Sequence, residues 1–222
     1  VIMGISSNCA AFRYVHFPLM SKKELRDAIY WEIQEFDTVF SSEYISDYEL
    51  LDQQNNTCRV LLVAVPKDLI MAYTNILSGA GFYLKALDVY PLANARVLKA
   101  QKKSGVSAII DFDVTHSEIT VVENGKLVLN RNLNFPHIIT VENFILEISR
   151  IFNFYSLQSK GHQVEEIILL GKGSKLKDVI KSYFNMNVIM GNELECDFTA
   201  ENSRITHNPM DFFSAIGFAL RG

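Results

Sequence analysis

Residues 171–174, Gly-Lys-Gly-Ser, are of types that contact phosphate: glycine lets a backbone N–H approach an oxyanion, and lysine adds a positive charge. The segment resembles half of a phosphate-binding loop. It is not a Walker motif, because the Lys-Ser pair does not follow a six-residue glycine frame. The sequence also holds no Gly-x-Ser-x-Gly nucleophile motif. These residues alone identify neither a phosphate site nor a reaction.

Histidine chemistry has little support in the sequence. The five histidines show no metal-binding spacing with cysteines or carboxylates. His116 stands beside Asp111 and Asp113, as in some acid–base pairs. Its place at the tip of a predicted hairpin favours a plain turn residue, so we assign no catalytic residue and no metal ligand.

Composition limits the class of protein. The chain has 222 residues, of which 49% are hydrophobic and 21% charged, which is typical of a globular protein with one large or two modest domains. The net charge of −4 does not favour nucleic acid as a partner. The densest basic cluster near the start, Lys22, Lys23 and Arg26, is interpreted as a solvated helix face. The aromatic residues Phe152, Phe154 and Tyr155 are interpreted as core rather than as a platform for bases.

The cysteines and apolar runs indicate a cytoplasmic protein. Cys9, Cys58 and Cys196 are far apart and odd in number, which favours reduced thiols. No apolar run approaches the roughly 18 residues that cross a membrane. Residues 1–5 lack the basic segment of a signal peptide and resemble a core strand. We therefore expect further residues upstream.

Apolar periodicity predicts alternating strands and helices. A capping box at Ser21 begins a helix with Leu25, Ile29, Ile33 and Phe36 on one face. Strands are predicted at residues 1–5, 11–18, 44–51, 57–65, 83–89, 107–111, 118–122, 126–129, 165–170 and 187–190. Further helices are predicted from Pro66 to about residue 79, with Leu69, Tyr73, Ile76 and Leu77 inward, from Pro91 to about 102, and at 141–157, 175–184 and 211–222.

Two local signals are stronger than the rest. Asn124-Gly125 between two strands predicts a tight hairpin. Thr140 caps the helix at 141–157, which is apolar on two sides and is therefore expected between layers. Its apolar positions are Phe144, Ile148, Ile151 and Tyr155 on one side and Ile145 and Phe152 on the other. The polar segment 102–105 is the predicted domain boundary, and the pattern as a whole predicts an α/β fold with two lobes.

Several segments, in order, resemble the PilM family, the actin-like cytoplasmic component of the type IV pilus assembly platform. Residues 21–32 resemble its "E-L-x-x-A-I-x-W-E" helix, 46–51 its "D-Y-x-x-L" strand and 60–67 its "V-L-L-V-A-A-P-K" strand. Residues 86–93 resemble "A-L-D-V-E-P-x-A", and 147–155 resemble "E-I-x-R-x-x-x-F-Y". Residues 168–174 resemble the turn near the adenosine, and 213–222 the closing "A-I-G-x-A-L-R-G" helix.

The resemblance implies an α/β actin-like, ribonuclease H-like fold with two lobes and an insert subdomain of the PilM and FtsA type. The first lobe would cover residues 1–103 with the insert at about 11–83. The second would cover 104–222, with helix 211–222 returning to the first lobe. The fold is expected to be truncated at the N-terminus and after Arg131, where the family's "Gly-Gly" turn is missing.

The resemblance also implies a nucleotide site, which this sequence changes. Actin-like proteins hold ATP and Mg²⁺ between two glycine-containing hairpins, and Val1 begins after the first. In the second, Asp113 replaces the family's glycine, adding a charge beside phosphate that repels by about 1 kcal/mol in water at about 4 Å. The residues that would form the degenerate site are Asp111, Ser117, Gly171, Lys172, Gly173 and Ser174.

The function implied is a non-catalytic scaffold, cytoplasmic and held at the inner membrane by a partner, without inserting into it. That partner would be the cytoplasmic N-terminal peptide of a PilN-like membrane protein, with other platform proteins and the motor ATPase as further contacts. Two alternatives stay open. One is a nucleotide-gated actin-like ATPase that regulates pilus assembly. The other is the cytoplasmic domain of a type II secretion platform protein or an FtsA-like cell-division protein.

Overall fold

The computed structural model of the chain describes residues 1–54, 56–112, 117–133, 140–159, 161–194 and 212–221. Asp113, His116, Cys196 and Gly222, all discussed above, lie outside the described residues. The chain divides into two compact units, Val1–Tyr90 and Pro91–Gly222. The lobes at 1–103 and 104–222, and the return of the terminal helix to the first lobe, remain predictions.

The first unit holds two sheets. Strands β1 (Ile2–Ile5) and β5 (Ala86–Val89) pair in parallel. A three-stranded antiparallel sheet in the order β2-β4-β3 consists of β2 (Ala11–Pro18), β3 (Tyr44–Gln54) and β4 (Thr57–Pro66). The unit's two α-helices are α1 (Lys22–Ile33) and α2 (Lys67–Gly79). The three-stranded sheet and its helices occupy the segment predicted as the insert, whose identity remains a prediction.

Helix α1 begins as its sequence predicts. The Ser21 hydroxyl accepts from the Glu24 N–H, and the Glu24 carboxylate accepts from the Ser21 N–H at 2.9 Å. Ile29 and Phe36 are buried against the central strand of the three-stranded sheet. The core of this unit therefore forms because one apolar helix stripe covers one sheet face.

The prediction that Ile76 points inward from α2 was wrong. Its side chain is 67% exposed, and no residue of α2 is fully buried. The half-buried stripe of the helix consists of Leu69, Ile70, Tyr73 and Leu77. Ile76 lies at the margin of this stripe, where periodicity alone does not separate it from its neighbours.

The second unit centres on a mixed five-stranded sheet in the order β10-β9-β6-β7-β8. Its antiparallel strands are β6 (Val106–Phe112), β7 (Ser117–Glu123) and β8 (Lys126–Leu133). Strand β9 (Glu166–Gly171) pairs in parallel with β6, and β10 (Asn187–Met190) pairs in parallel with β9. The helices are α3 (Tyr90–Ala100), α4 (Val141–Gln158), α5 (Lys177–Phe184) and α6 (Phe213–Ala219).

Helix α4 supplies much of the core of this sheet. The six apolar positions predicted on its two sides are all buried, and Thr140 caps it by accepting from the Asn143 N–H. The interpretation of Phe154 as core was wrong: its side chain is 39% exposed, and the Arg131 guanidinium lies over its ring, 5.4 Å from the centroid. The Phe144 ring meets Phe112 of β6 edge to face, with ring centroids 5.2 Å apart. Removing a side chain as buried as Phe144 costs about 3–5 kcal/mol. The sheet and α4 thus form one packed layer pair.

Most predicted element positions are confirmed, and several boundaries shift: the strands predicted at 44–51 and 126–129 extend to Gln54 and Leu133. Asn124 and Gly125 both have positive φ, as the predicted hairpin turn between β7 and β8 requires. The strand predicted from residue 83 begins at Ala86, and the helix predicted from 175 begins at Lys177, after a 3-10 turn over Gly173–Leu176. The terminal helix predicted at 211–222 spans Phe213–Ala219.

None of the helices among the described residues combines the length and apolar character needed to cross a membrane.

Candidate functional site

Three strand ends meet at one edge of the five-stranded sheet. Phe112, the last residue of β6, pairs with Ser117 at the start of β7 and with Gly171 at the end of β9. Asp111 precedes Phe112, and Lys172 follows Gly171. We call Asp111, Phe112, Ser117, Gly171 and Lys172 the strand-end cluster. The register therefore brings the backbones of two distant segments, predicted from sequence as one site, to the same sheet edge.

Gly171 makes the closest approach in this cluster. Its φ is +63°, and a Cβ built there would lie 2.5 Å from the Phe112 carbonyl oxygen and 2.9 Å from Asp111 Oδ1. The Lys172 N–H donates to the same Phe112 oxygen at 2.8 Å. A side chain at position 171 is excluded both by the backbone conformation and by space. The glycine thus allows β9 to turn away directly beside the Asp111 carboxylate.

Asp111 and Ser117 do not face each other. Ser117 lies opposite Phe112 and so shares its sheet face, the one that α4 covers. Its side chain is 1% exposed, and its hydroxyl oxygen has no hydrogen-bond partner among the described residues. Asp111 projects from the other face. The structure therefore brings Asp111 to Gly171, but it does not bring the Ser117 hydroxyl to that carboxylate.

The remaining predicted residues have simpler positions. Lys172 is exposed at the turn, and only the backbone of Gly173 and Ser174, in the 3-10 turn, is described. Cys9 is an exposed free thiol and Cys58 a buried one. Within the described residues, no group of three or more His, Cys, Asp and Glu side chains is placed to hold a metal ion.

A group of polar residues beside Asp111 was not predicted from the sequence. It consists of Glu118, Thr120, Asn130 and Asn132, which we call the polar belt. Glu118 of β7 lies directly opposite Asp111, and Asn132 of β8 lies directly opposite Glu118. Thr120 and Asn130 form the next cross-strand pair on this face. Glu118 is 5% exposed, and the Thr120 hydroxyl lies 3.5 Å from its carboxylate. The sequence did contain a signal for this belt, because polar residues occupy alternate positions of both strands.

This belt affects what the site can bind. Asp111 and Glu118 place two carboxylates on neighbouring strands near the sheet edge. A polyanion bound there is disfavoured, because like charges repel more strongly where water is partly excluded. The backbone turn at Gly171 is compatible with a phosphate, whereas the acidic side chains beside it oppose one.

No family model matches this chain, and no curated protein sequence matches it. Its fold, however, is similar to solved structures. A PilM-PilN type IV pilus biogenesis complex matches 99% of this chain and 78% of the solved chain, with a TM-score of 0.78 and 20% sequence identity. A Bacteroides thetaiotaomicron protein described as having an actin-like ATPase fold matches 100% of this chain and 73% of its own, with a TM-score of 0.54 and 14% identity.

The chain has an actin-like fold similar to that of PilM. This confirms the α/β actin-like fold that the ordered motifs predicted. The cytoplasmic domain of EpsL, an inner membrane component of the type II secretion system of Vibrio cholerae, is also similar. It matches 100% of this chain and 74% of its own, with a TM-score of 0.52 and 12% identity. The EpsL domain thus shares the fold of the chain.

Proposed function

We propose that this chain is a scaffold of type IV pilus biogenesis that binds the cytoplasmic N-terminal segment of a PilN-like membrane protein. The observation that carries the proposal is the similarity to PilM over 99% of the chain, in a structure solved as a PilM-PilN complex. The ordered sequence motifs, which span nearly the same length, support it independently.

The three-stranded sheet of the first unit supports peptide binding in physical terms. β2 and β3 are its two edge strands, and β3 runs for eleven residues. An edge strand offers main-chain hydrogen bonds to an extended peptide, and side chains on alternate positions give selectivity. Tyr48 and Leu50, exposed on the same side of β3, offer apolar contact. We therefore expect the PilN-like segment to contact residues 11–83.

A peptide-binding assay tests this proposal. The cytoplasmic N-terminal segment of a PilN-like protein from the same organism would be fluorescently labelled and titrated with the purified chain. We expect saturable binding, and a weaker affinity for Tyr48→Glu than for wild type. Tyr183→Glu, an exposed tyrosine of α5 in the other unit, is the matched control. Failure of the segment to bind, confirmed by pull-down with the longest form of the protein, contradicts the scaffold proposal.

The cellular setting follows from the same proposal. The protein would lie in the cytoplasm, peripheral to the inner membrane and tethered by its PilN-like partner. Other platform proteins and the motor ATPase would be further contacts. Cross-linking in cells with and without the PilN-like protein tests the order of these contacts. Without that partner, we expect that the chain is no longer recovered with the membrane.

A second candidate function is nucleotide binding at the strand-end cluster. The observation in its favour is the turn at Gly171, where the backbone approaches Asp111 without a side chain between them. Calorimetric titration of Mg-ATP into this chain and into its longest form separates the two proposals. The scaffold proposal predicts no heat of binding with either. Binding that Gly171→Ala abolishes, in a variant that circular dichroism shows to be folded, would instead assign a nucleotide-binding site to the strand-end cluster.

The similarity to the EpsL cytoplasmic domain supports a third assignment, to a type II secretion platform. We favour the pilus because the TM-score is 0.78 for PilM and 0.52 for EpsL at similar coverage. Binding of the chain to type II secretion partners rather than to the PilN-like segment would reverse this choice. An FtsA-like role in cell division would be indicated by binding to cell-division partners instead.

A further inference from the structure

The acidic residues of the first unit are concentrated in one segment. Residues 34–58, from the end of α1 to the residue before Arg59, hold six Asp and Glu and no Lys or Arg. The whole chain has 25 acidic and 21 basic residues, so the rest of it has 19 and 21 and a net charge of +2. Three of the six acids, Asp47, Glu49 and Asp52, belong to β3. The net negative charge of the protein therefore lies in this one segment.

β3 is open to a further strand along one edge. Within the described part of the chain, β3 pairs with β4 alone. Ile45 and the four residues from Asp47 to Leu50 are exposed. An edge of this kind can take up an extended segment of another protein through main-chain hydrogen bonds. The side chains that border the edge then select the segment.

The two faces of this edge differ in chemistry. Tyr48 lies opposite Leu62 of β4, a core residue beneath α1, and Leu50 lies on the same face. Both side chains are 44% exposed. Asp47 and Glu49 point to the other face, because successive residues of a strand alternate. A strand added to this edge would meet apolar side chains on one face and carboxylates on the other.

The acids of the segment differ in their surroundings. Glu43 pairs with Lys67 at 2.7 Å, and Asp52 lies directly opposite Arg59 in the ladder. The Asp47 carboxylate accepts from the N–H of the next residue and forms no ion pair with any described residue. Asp47 is therefore accessible to a cation from another chain, at the centre of the exposed part of the edge.

Protection of the edge does not explain this arrangement. Charged side chains commonly keep an edge strand from pairing, and lysine is the residue most often used for this purpose. An edge protected in this way would not also expose Tyr48 and Leu50, because exposed apolar surface favours association. The combination of apolar side chains on one face and acids on the other suits a segment with the complementary pattern.

We propose that the β3 edge binds an extended segment in which apolar residues alternate with Lys or Arg. The apolar side chains would pack on Tyr48 and Leu50, and the cations would face Asp47 and Glu49, as cross-strand pairs do. This inference rests on the proposed scaffold function and names the chemistry of its peptide. Cytoplasmic segments next to a membrane span are rich in Lys and Arg, which agrees with a segment of a membrane protein.

Synthetic peptides of about eight residues, within the usual length of a strand, separate the pattern from the composition. One peptide alternates Lys with Val, a second alternates Glu with Val, and a third places all its Lys before all its Val. Each would be fluorescently labelled and titrated with the purified chain. We expect the alternating Lys-Val peptide to bind about tenfold more tightly than the other two. High salt should weaken its binding, because exposed charges are screened.

Charge reversal on β3 tests the same contact in a way that loss of folding cannot imitate. Asp47→Lys/Glu49→Lys should bind the alternating Lys-Val peptide about tenfold more weakly and should gain binding of the alternating Glu-Val peptide. Asp27→Lys/Glu142→Lys is the matched control, since it reverses two exposed acids outside β3 and changes the net charge equally. The control should keep the preference of the wild type.

Three results would overturn the inference. One is equal binding of the alternating and the block-ordered Lys-Val peptides, and another is an unchanged preference in Asp47→Lys/Glu49→Lys. The third is a lack of binding by every peptide, which would assign the acids to protection of the edge. If the PilN-like segment binds and the β3 reversal leaves its affinity unchanged, this inference fails and the scaffold proposal stands. If that segment does not bind while the alternating Lys-Val peptide does, the scaffold proposal alone is contradicted.

Discussion

Gly217 of α6 lies directly against the backbone of Ala93 in α3. A Cβ built on Gly217 would lie 2.1 Å from the Ala93 carbonyl oxygen, closer than any real contact. Arg96 donates to the Gly217 carbonyl at 2.9 Å, and Ser214 donates to Asn94 at 2.8 Å. The glycine within the terminal apolar helix is therefore explained by the close crossing of two helices.

This contact predicts that Gly217→Ala destabilises the protein. The added methyl group must push the helices apart, which costs about 1–3 kcal/mol as overpacking and outweighs the better helix propensity of alanine. Urea denaturation followed by circular dichroism measures the loss. Gly79→Ala is the control, because no atom lies within 4 Å of its Cβ position. Equal stability of the two variants would refute the close helix crossing.

The strand-end cluster gives a second prediction with an internal control. Gly171→Ala and Gly161→Ala both place a side chain at positive φ, which costs about 1–2 kcal/mol. Only Gly171→Ala also meets Phe112 and Asp111, while Gly161 has open space around its Cβ position. We expect Gly171→Ala to lose about 1–3 kcal/mol more of unfolding free energy. A smaller loss than that of Gly161→Ala would contradict the close approach.

Tyr44 is expected to ionise at a higher pH than an ordinary tyrosine. Its hydroxyl donates to Asp37 Oδ1 at 2.7 Å, and this hydrogen bond, with burial, raises the pKa of Tyr44 to about 12. A raised pKa in the folded protein means that the stabilisation is present below about pH 10, the ordinary tyrosine value, and is lost as the pH rises toward 12. The phenolate absorbance of wild type should include a contribution from Tyr44 that appears only at high pH. Tyr44→Phe should lose this contribution, whereas Tyr183→Phe should retain it.

The Glu193 carboxylate should titrate at a lower pH than an ordinary glutamate. It accepts from Lys177 Nζ at 2.6 and 2.7 Å and from the Met190 N–H at 2.9 Å, and these bonds lower its pKa. The corresponding stabilisation is present above the ordinary pKa and is lost as the pH falls through the folded value. Carbon NMR of the carboxyl group should show a higher pKa in Lys177→Met. Lys181→Met should leave it unchanged, and the same shift in both variants would rule out the pairing.

Local sequence signals predicted the elements well, because they act over a few residues. Ser21 and Thr140 cap their helices, and Asn124-Gly125 turns between two strands, each through contacts within one turn of chain. The two apolar sides of α4 were predicted because residues of one helix keep a fixed angular spacing. Ile76 was mispredicted because the edge of an apolar stripe depends on what packs against it.

The candidate site was only partly predictable. The order of motifs indicated that Asp111 and Gly171 belong to one site, and the sheet register places them side by side. The opposite projection of Asp111 and Ser117 depends on strand register, which the sequence does not state. The buried Glu118 carboxylate was missed for the same reason, since a polar residue in a strand is normally expected to face water.

The sequence by itself determined the class of fold and the position of most helices and strands, since these follow from periodicity, caps and turn residues that act locally. Tertiary structure alone decided which distant residues meet: Gly217 with Ala93, Gly171 with Asp111, and the exposure of Trp31 on a helix whose other face is packed. The physical reason is that contact between distant residues depends on the register of the strands and on how the helices cross. The apolar periodicity of a sequence specifies neither of these.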